Sequence, residues 1–289
     1  MNDPLRPERL VPPTPGQLRR LMGAERLRPR KGLSQNFLTD PDALDAIVAA
    51  AELAPGDRVV EVGPGLGVLT RRLLAAGASV LAVEVDHRLA EYLRRELFGV
   101  DSFELIEADA LSIHARELFP DQPIKVVANI PYHITSPLLH AFLEGDRPPE
   151  LTVLLVQLEV AERVAAPPGS MSYLSVFAQN VATAEVVARV PAAAFEPAPA
   201  VDSAVLRLRR RDRPAIAAGA DREPFYRVVQ AGFRQRRKQV HNGLSRELTV
   251  DRIVVEEALA ACSVDPDRRP QTLTVDEWAC LAGRIGPLL

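Results

Sequence analysis

The stretch 129-NIPYHITSP-137 closes an apolar run, 124-IKVVA-128, with an amide, a rigid turn and an aromatic. That order suits reaction at an amine nitrogen conjugated to an aromatic ring, a poor nucleophile because its lone pair is delocalised. If the Asn129 side-chain carbonyl and the Ile130 backbone carbonyl accept its two N–H groups, the lone pair is turned toward an electrophile. Pro131 fixes the turn that aims the Ile130 carbonyl. Tyr132 offers a ring face for stacking a base. With an electrophile that carries its own activated leaving group, no metal and no strong base are needed, and positioning does most of the work.

Three further positions supply a binding site for that electrophile. The run 61-EVGPGLG-67 puts Gly63, Gly65 and Gly67 between a strand and a helix, where the backbone can turn sharply and approach a ligand at the helix N-terminus. The spacing is G-x-G-x-G, whereas a dinucleotide fold has G-x-G-x-x-G. Glu84, ending the next strand-like run, is placed to accept hydrogen bonds from both ribose hydroxyls. Asp109, in 107-EADAL-111, is placed to receive the exocyclic amine of an adenine. Together they describe a site for an adenosine whose 5′ substituent is not a pyrophosphate, and S-adenosylmethionine fits. A nicotinamide-dependent dehydrogenase is the competing reading, weakened by the glycine spacing.

Alternating elements must carry these residues. Strand-like runs at 57–62, 79–85, 103–108, 125–130 and 151–157 are separated by helical patterns such as 66–77 and 87–97. That alternation predicts βαβ units and a parallel, doubly wound α/β sheet. The runs 183–190 and 202–210, on either side of the Pro-broken segment 191–200, predict a hairpin-like pair with an antiparallel last strand. A Pro/Gly/Ala-rich linker at 213–223 leads into a tail with helical periodicity only. The expected division is a flexible Pro-rich tail at 1–17, a sheet domain at 18–210 and a small helical domain at 211–289.

The 289 residues, 47% hydrophobic with net charge −3, are ordinary for a soluble globular chain. No apolar run approaches the ~20 residues of a membrane helix, and the N-terminus lacks the apolar core of a secretory signal. Cys262 and Cys280 show neither metal-ligand spacing nor a disulfide framework, which predicts reduced thiols, no metal and a cytoplasmic location. Charge is uneven. From Arg207 to Lys238 eleven basic residues face three acidic ones, and from Arg19 to Lys31 six face one. Such blocks predict a polyanion-binding face. Arg234, Arg236, Arg237 and Lys238, within little more than one helical turn, are the candidate phosphate contacts. His133 reads as a solvated turn residue, and Trp278 as the core anchor of the small domain.

The NIPY tetrapeptide resembles the [N/D]-[P/L/I]-P-[Y/F] signature of methyltransferases acting on exocyclic amines. The chain as a whole resembles the rRNA adenine N6-dimethyltransferase family over almost its entire length. The segment 33-LSQNFL-38 is similar to that family's LGQNFL opening, which implies that Asn36 and Leu38 contact the cofactor. Gly63, Glu84, Asp109 and Asn129 match its remaining cofactor positions. The segment 195-FEPAPAVDSAV-205 resembles F-x-P-x-P-x-V-D-S-A-V, which implies that Phe195 packs on the target adenine opposite Tyr132. The tail carries 233-FRQRRKQVHNGL-244, similar to F-x-Q-R-R-K-x-x-x-N-x-L, and 265-DPDRRPQTLTVDEW-278, like the family's closing segment.

The resemblance implies a Rossmann-like S-adenosylmethionine-dependent methyltransferase sheet with a small C-terminal α-helical domain. The product would be S-adenosylhomocysteine, and the substrate small-subunit rRNA in a pre-30S particle bound by a monomer. Two adjacent adenines of the 3′-terminal hairpin would be dimethylated. A second branch methylates large-subunit rRNA and confers macrolide resistance; NIPY is common there too, whereas GPGLG, VDSAV and RRKQVHNGL favour the first. A non-catalytic RNA-binding assembly factor is the third reading. Departures from the pattern are Ser34 for Gly, Leu158 for Lys, a region 169–176 shortened by two residues, and His241 for Arg.

Overall fold

The computed structural model describes residues 10–25, 27, 36–113, 122–144, 148–216 and 222–289. The chain divides into two compact units, Met1–Ala161 with Glu185–Arg209, and Glu162–Ala184 with Arg210–Leu289.

In the first unit the described chain begins with helix α1 (Pro15–Ala24), short strand β1 (Phe37–Leu38) and helix α2 (Pro41–Ala50). Then strands and helices alternate: β2 (Arg58–Val62), α3 (Val68–Ala75), β3 (Ser79–Glu84), α4 (His87–Glu96), β4 (Phe103–Glu107), β5 (Lys125–Asn129), α5 (Thr135–Leu143) and β6 (Leu151–Gln157). Helices α6 (Leu158–Val164) and α7 (Tyr173–Val181) lead to β7 (Ala182–Val190), β8 (Phe195–Glu196) and β9 (Ser203–Arg210). The sheet has seven strands in the order β4-β3-β2-β5-β6-β9-β7. β2 is parallel to both β3 and β5, β3 to β4, and β5 to β6; β9 runs antiparallel to β6. Strands buried on both faces need continuous apolar runs, which is what Val59, Val60, Val126, Val127 and Val153 supply, all fully buried.

Helix α1 corrects the expectation of a flexible tail to residue 17. Thr14 Oγ1 accepts the Gln17 N–H, and the Gln17 side chain returns to the Thr14 N–H, a reciprocal capping box with Pro15 at the first turn. Leu18 is 0% exposed, in the same core as Ile47, Leu69 and Leu93. Residues 1–9 lie outside the described residues. A second element not foreseen is the pairing of β1 with β8, antiparallel, Phe37 opposite Glu196 and Leu38 opposite Phe195.

The second unit gathers α7 with α8 (Glu223–Arg234), α9 (Val240–Leu248), α10 (Arg252–Ala261) and α11 (Val275–Ile285). Its core is built on Trp278, fully buried, beside Phe225, Val228, Leu244 and Leu281. A Cβ on Gly232 would stand 2.4 Å from the Trp278 ring, so the indole fixes glycine there. The expectation of reduced thiols is corrected: Cys262, capping α10, is disulfide-bonded to Cys280 in α11, with Cα atoms 5.9 Å apart. Two cysteines eighteen residues apart show no spacing motif; only the packing of α10 on α11 brings them together. Of the 213–223 linker, Ile216 N–H is held by Asn180 Oδ1 of α7, and 217–221 lie outside the described residues. No helix among the described residues is long and apolar enough to cross a membrane.

Candidate active site

Strand order reverses between β2 and β5, whose neighbours lead away in opposite directions. In a doubly wound sheet that point opens a crevice at the carboxyl ends of the strands. A cavity of about 400 Å³ lies there. Asn36, Leu38, Gly63, Gly65, Glu84, Asp109, Asn129, Ile130, Pro131, Tyr132 and Phe195 all line it. Of the cavity residues expected from the sequence, Gly67 alone stands behind the wall.

The glycine loop is shaped by its own backbone. Gly63, Gly65 and Gly67 have φ of +65°, +60° and +72°, a region costly for a residue with a Cβ. At Gly67 space is as decisive as torsion: a Cβ would stand 2.7 Å from both Arg71 Nη1 and Leu93 Cδ2. Arg71 is buried, and its Nη1 donates to the carbonyls of Leu66 (3.0 Å) and Gly67 (3.1 Å). The guanidinium therefore grips the loop from below. Sequence reading missed Arg71, because its partners are loop carbonyls made adjacent only by the turn.

Three acidic residues line the same cavity. Glu84 Oε2 accepts the Gly65 N–H at 3.1 Å and Oε1 the Asp86 N–H at 2.9 Å. Burial raises its pKa, and those two amides oppose the rise. Each carboxylate oxygen has a second acceptor site, so the group can still take ribose hydroxyls. Asp109 Oδ1 caps the short 3₁₀ turn Ala110–Ser112 through the Leu111 N–H at 2.9 Å, which leaves Oδ2 as an acceptor. Glu61, on β2, was not singled out in the sequence. It is 1% exposed and lines the cavity, and its Oε2 is buried without a hydrogen-bond partner. Burial pushes its pKa up to about 8, the Glu84 carboxylate adds to the rise, and Thr70 and the Arg71 guanidinium oppose it.

Across the crevice Asn129 ends β5, its carbonyl oxygen 3.9 Å from where a Cβ on Gly63 would stand. The chain then turns through Pro131, whose carbonyl accepts the Ile134 N–H at 3.1 Å, into a 3₁₀ turn at Tyr132–Ile134. Tyr132 Oη lies 2.8 Å from Ser203 Oγ. His133 is exposed. Phe195 arrives from the far end of the unit through β8: Leu38 and Phe195 are paired, and Thr39 N–H and Oγ1 both donate to the Ala194 carbonyl (2.8 and 3.0 Å). A glycine loop, a ribose-type acid and an Asn-Ile-Pro-Tyr turn thus share one cavity.

The family model for ribosomal RNA adenine dimethylase matches residues 26–282. The chain belongs to that family. Among similar proteins, "Ribosomal RNA small subunit methyltransferase A" of Moorella thermoacetica is 42% identical, covering 93% of this chain and 96% of the relative. The protein so named from Dehalococcoides mccartyi is 40% identical, covering 93% and 92%. Among solved structures, that of the 23S rRNA methyltransferase ErmE is similar at a TM-score of 0.69 and 34% identity, over 86% of this chain and 99% of that one. A dimethyladenosine transferase from Plasmodium falciparum has the same fold, with a TM-score of 0.70 at 24% identity, over 85% and 95%. The fold is the Rossmann-like one of S-adenosylmethionine-dependent methyltransferases, with a helical C-terminal part.

The cavity fits the cofactor of such a family on its own chemistry. Glu61, one of its lining residues, carries a buried carboxyl oxygen, Oε2, without a hydrogen-bond partner, a group that a nearby cationic ligand would favour in its charged form. The glycine cradle lacks side chains where a Cβ on Gly65 would press the Phe37 ring at 3.3 Å. Among the described residues no cluster of three or more His, Cys, Asp or Glu is arranged to hold a metal ion.

The basic candidates lie in the helical unit. Arg234 ends α8, with Nη1 3.7 Å from Glu247. Arg236, Arg237 and Lys238 are exposed in the turn joining α8 to α9, so they project from a loop and not from a helix face. His241 is 4% exposed, and its Nδ1 lies 2.7 Å from the Pro266 carbonyl oxygen, a packing role. Leu158 N–H donates to the Asp202 carbonyl. Ser34 and residues 26 and 28–31 of the N-terminal basic block lie outside the described residues.

Proposed function

We propose that the protein dimethylates N6 of two adjacent adenines in the 3′-terminal hairpin of small-subunit rRNA, using S-adenosylmethionine, during 30S assembly. The observation that carries this reading is the Asn129–Tyr132 turn opening on the same cavity as Glu84 and Asp109, in a chain of the ribosomal RNA adenine dimethylase family. The relatives named for the small subunit are about as long as this chain and match nearly all of it.

S-adenosylmethionine, when bound, supplies a methyl group on a sulfonium and leaves as S-adenosylhomocysteine. Glu84 holds the ribose hydroxyls and Asp109 Oδ2 the adenine amine, while Asn36, Leu38, Gly63 and Gly65 shape the rest of the site. Gly67 sets the loop through Arg71 rather than touching the ligand. Asn129 and the Ile130 carbonyl accept the two N–H groups of the target adenine, Pro131 aims the carbonyl, and Tyr132 and Phe195 take the base between them. A target base must leave its stack to reach this crevice. Arg234, Arg236, Arg237 and Lys238 hold phosphates, and RNA shape sets the register. We place the enzyme in the cytoplasm as a monomer; the Cys262–Cys280 bond removes thiol state as an argument about compartment.

Labelled S-adenosylmethionine, under-methylated small subunits and large-subunit RNA, with products mapped by nuclease digestion and mass, test the proposal. Dimethyladenosine in the small-subunit 3′ hairpin is the expected result. Label confined to large-subunit RNA would move the protein to the activity named for ErmE, and binding without label would leave an assembly factor.

A further inference from the structure

Neither aromatic wall of the cavity is held by the sheet directly. Tyr132 sits in a single 3₁₀ turn and Phe195 in a two-residue strand. A tyrosine ring can swing between staggered wells about its inner torsion, so a half-exposed turn leaves the ring's position free unless something fixes the far end. Ser203 does that. It is the first residue of β9, set opposite Gln157 of β6 and 0% exposed, with Oγ 2.8 Å from Tyr132 Oη. The hydroxyl is the side-chain atom farthest from that torsion, hence the longest lever on the ring's position. The preceding residue holds the other wall. Asp202 Oδ1 accepts the Ala192 N–H at 2.9 Å, fixing the start of the 3₁₀ turn Ala192–Ala194 that delivers Phe195. The Asp202 carbonyl accepts the Leu158 N–H at 3.0 Å, tying the pair to the end of β6. Two adjacent residues, neither lining the cavity, thus reach both of its aromatic walls.

We propose that Ser203 is a positioning residue for methyl transfer: through the Tyr132 hydroxyl it fixes the ring on which the target base lies, while Asp202 sets Phe195 opposite. The proposal rests on the adenine-methylation reading above. Its physical basis is that a reaction driven by placement loses rate when a reactant's support shifts, even with every contacting residue present. The second methylation is the more sensitive step, because the base then carries an extra methyl group that must fit the same gap.

A double-mutant cycle tests it. Ser203→Ala and Tyr132→Phe are each expected to lower kcat about tenfold, with KM for RNA within twofold and S-adenosylmethionine affinity unchanged. Monomethyladenosine should accumulate in both. The double variant should be no slower than either single one, since both remove the same bond. Wild-type kcat and product ratio in Ser203→Ala, or multiplicative losses in the double variant, would overturn the proposal. Should Ser203→Ala not fold, Tyr132→Phe breaks the bond from the half-exposed side, and full activity with normal dimethylation there is equally decisive against it. Absence of transfer by the wild-type protein would instead overturn the functional reading itself.

Discussion

Leu38 and Phe195 face each other across a two-residue antiparallel ladder that joins the N-terminal arm of the chain to the approach of its last sheet strand. Both line the cavity, one on the proposed cofactor side and the other on the proposed base side. Thr39 and Ala194 extend the link by two hydrogen bonds. The proposed cofactor and base sides of the cavity are therefore tied through one ladder of backbone.

Replacing the amide at the end of β5 separates chemistry from binding. Asn129→Ala is expected to abolish methyl transfer and leave RNA affinity intact, measured by label incorporation beside filter binding. Normal turnover would remove Asn129 from the reaction.

The proposed ribose acceptor, Glu84, is a buried carboxylate already bonded to two backbone amides. Glu84→Ala should weaken S-adenosylmethionine binding by roughly 1.5–3 kcal/mol, the scale of hydrogen bonds to a charged group. Calorimetry reads this directly, and an unchanged Kd would exclude Glu84 from the site. Loosening of the Gly65 amide contributes to the loss, because that N–H donates to the same group.

Glu61 makes the cofactor-free protein sensitive to pH in a definite direction. Its pKa is raised from 4.5 to about 8, so the folded state keeps a proton that the unfolded chain loses. Its contribution to stability is full below pH 4.5, declines as pH rises, and is gone above about pH 8. By pH 7 the decline is at most about 3 kcal/mol. Urea midpoints should therefore fall between pH 5 and pH 8 more steeply in the wild type than in Glu61→Gln, and parallel curves would refute the assignment. A cationic ligand favours the charged form, so the same substitution should weaken S-adenosylmethionine binding more than S-adenosylhomocysteine binding.

Salt reads the basic turn. Neutralising Arg236, Arg237 and Lys238 together should weaken RNA binding and reduce the slope of log affinity against log salt, by about 0.7–0.9 for each phosphate no longer neutralised. If the slope is unchanged, these side chains belong to solvent.

The cross-link between α10 and α11 closes a short loop. Cys262→Ser with Cys280→Ser is expected to lower stability by about 3 kcal/mol, on a chain-entropy argument for a loop of this length. Thiol titration of the denatured, unreduced wild type should find no free cysteine; two free thiols would return the pair to the reduced state the sequence suggested.

Periodicity and local chemistry determined the alternating strands and helices, the glycine turn, and the acids and the Asn-Ile-Pro-Tyr turn at strand ends. Each of these signals is written within a few neighbouring residues: apolar runs that demand burial, glycines that permit positive φ, a proline that sets a turn. The α1 capping box, Thr14 to Gln17, was equally local and was obscured by the prolines around it. Tertiary structure alone decided the rest. Leu38 against Phe195, Ser203 at the Tyr132 hydroxyl and Cys262 at Cys280 are pairings whose partners meet only after the chain has turned and its helices and strands have packed. Glu61 belongs with them. Its carboxyl is an ordinary acid in the chain, and only the strands and helix that shut water away from it make it hold its proton.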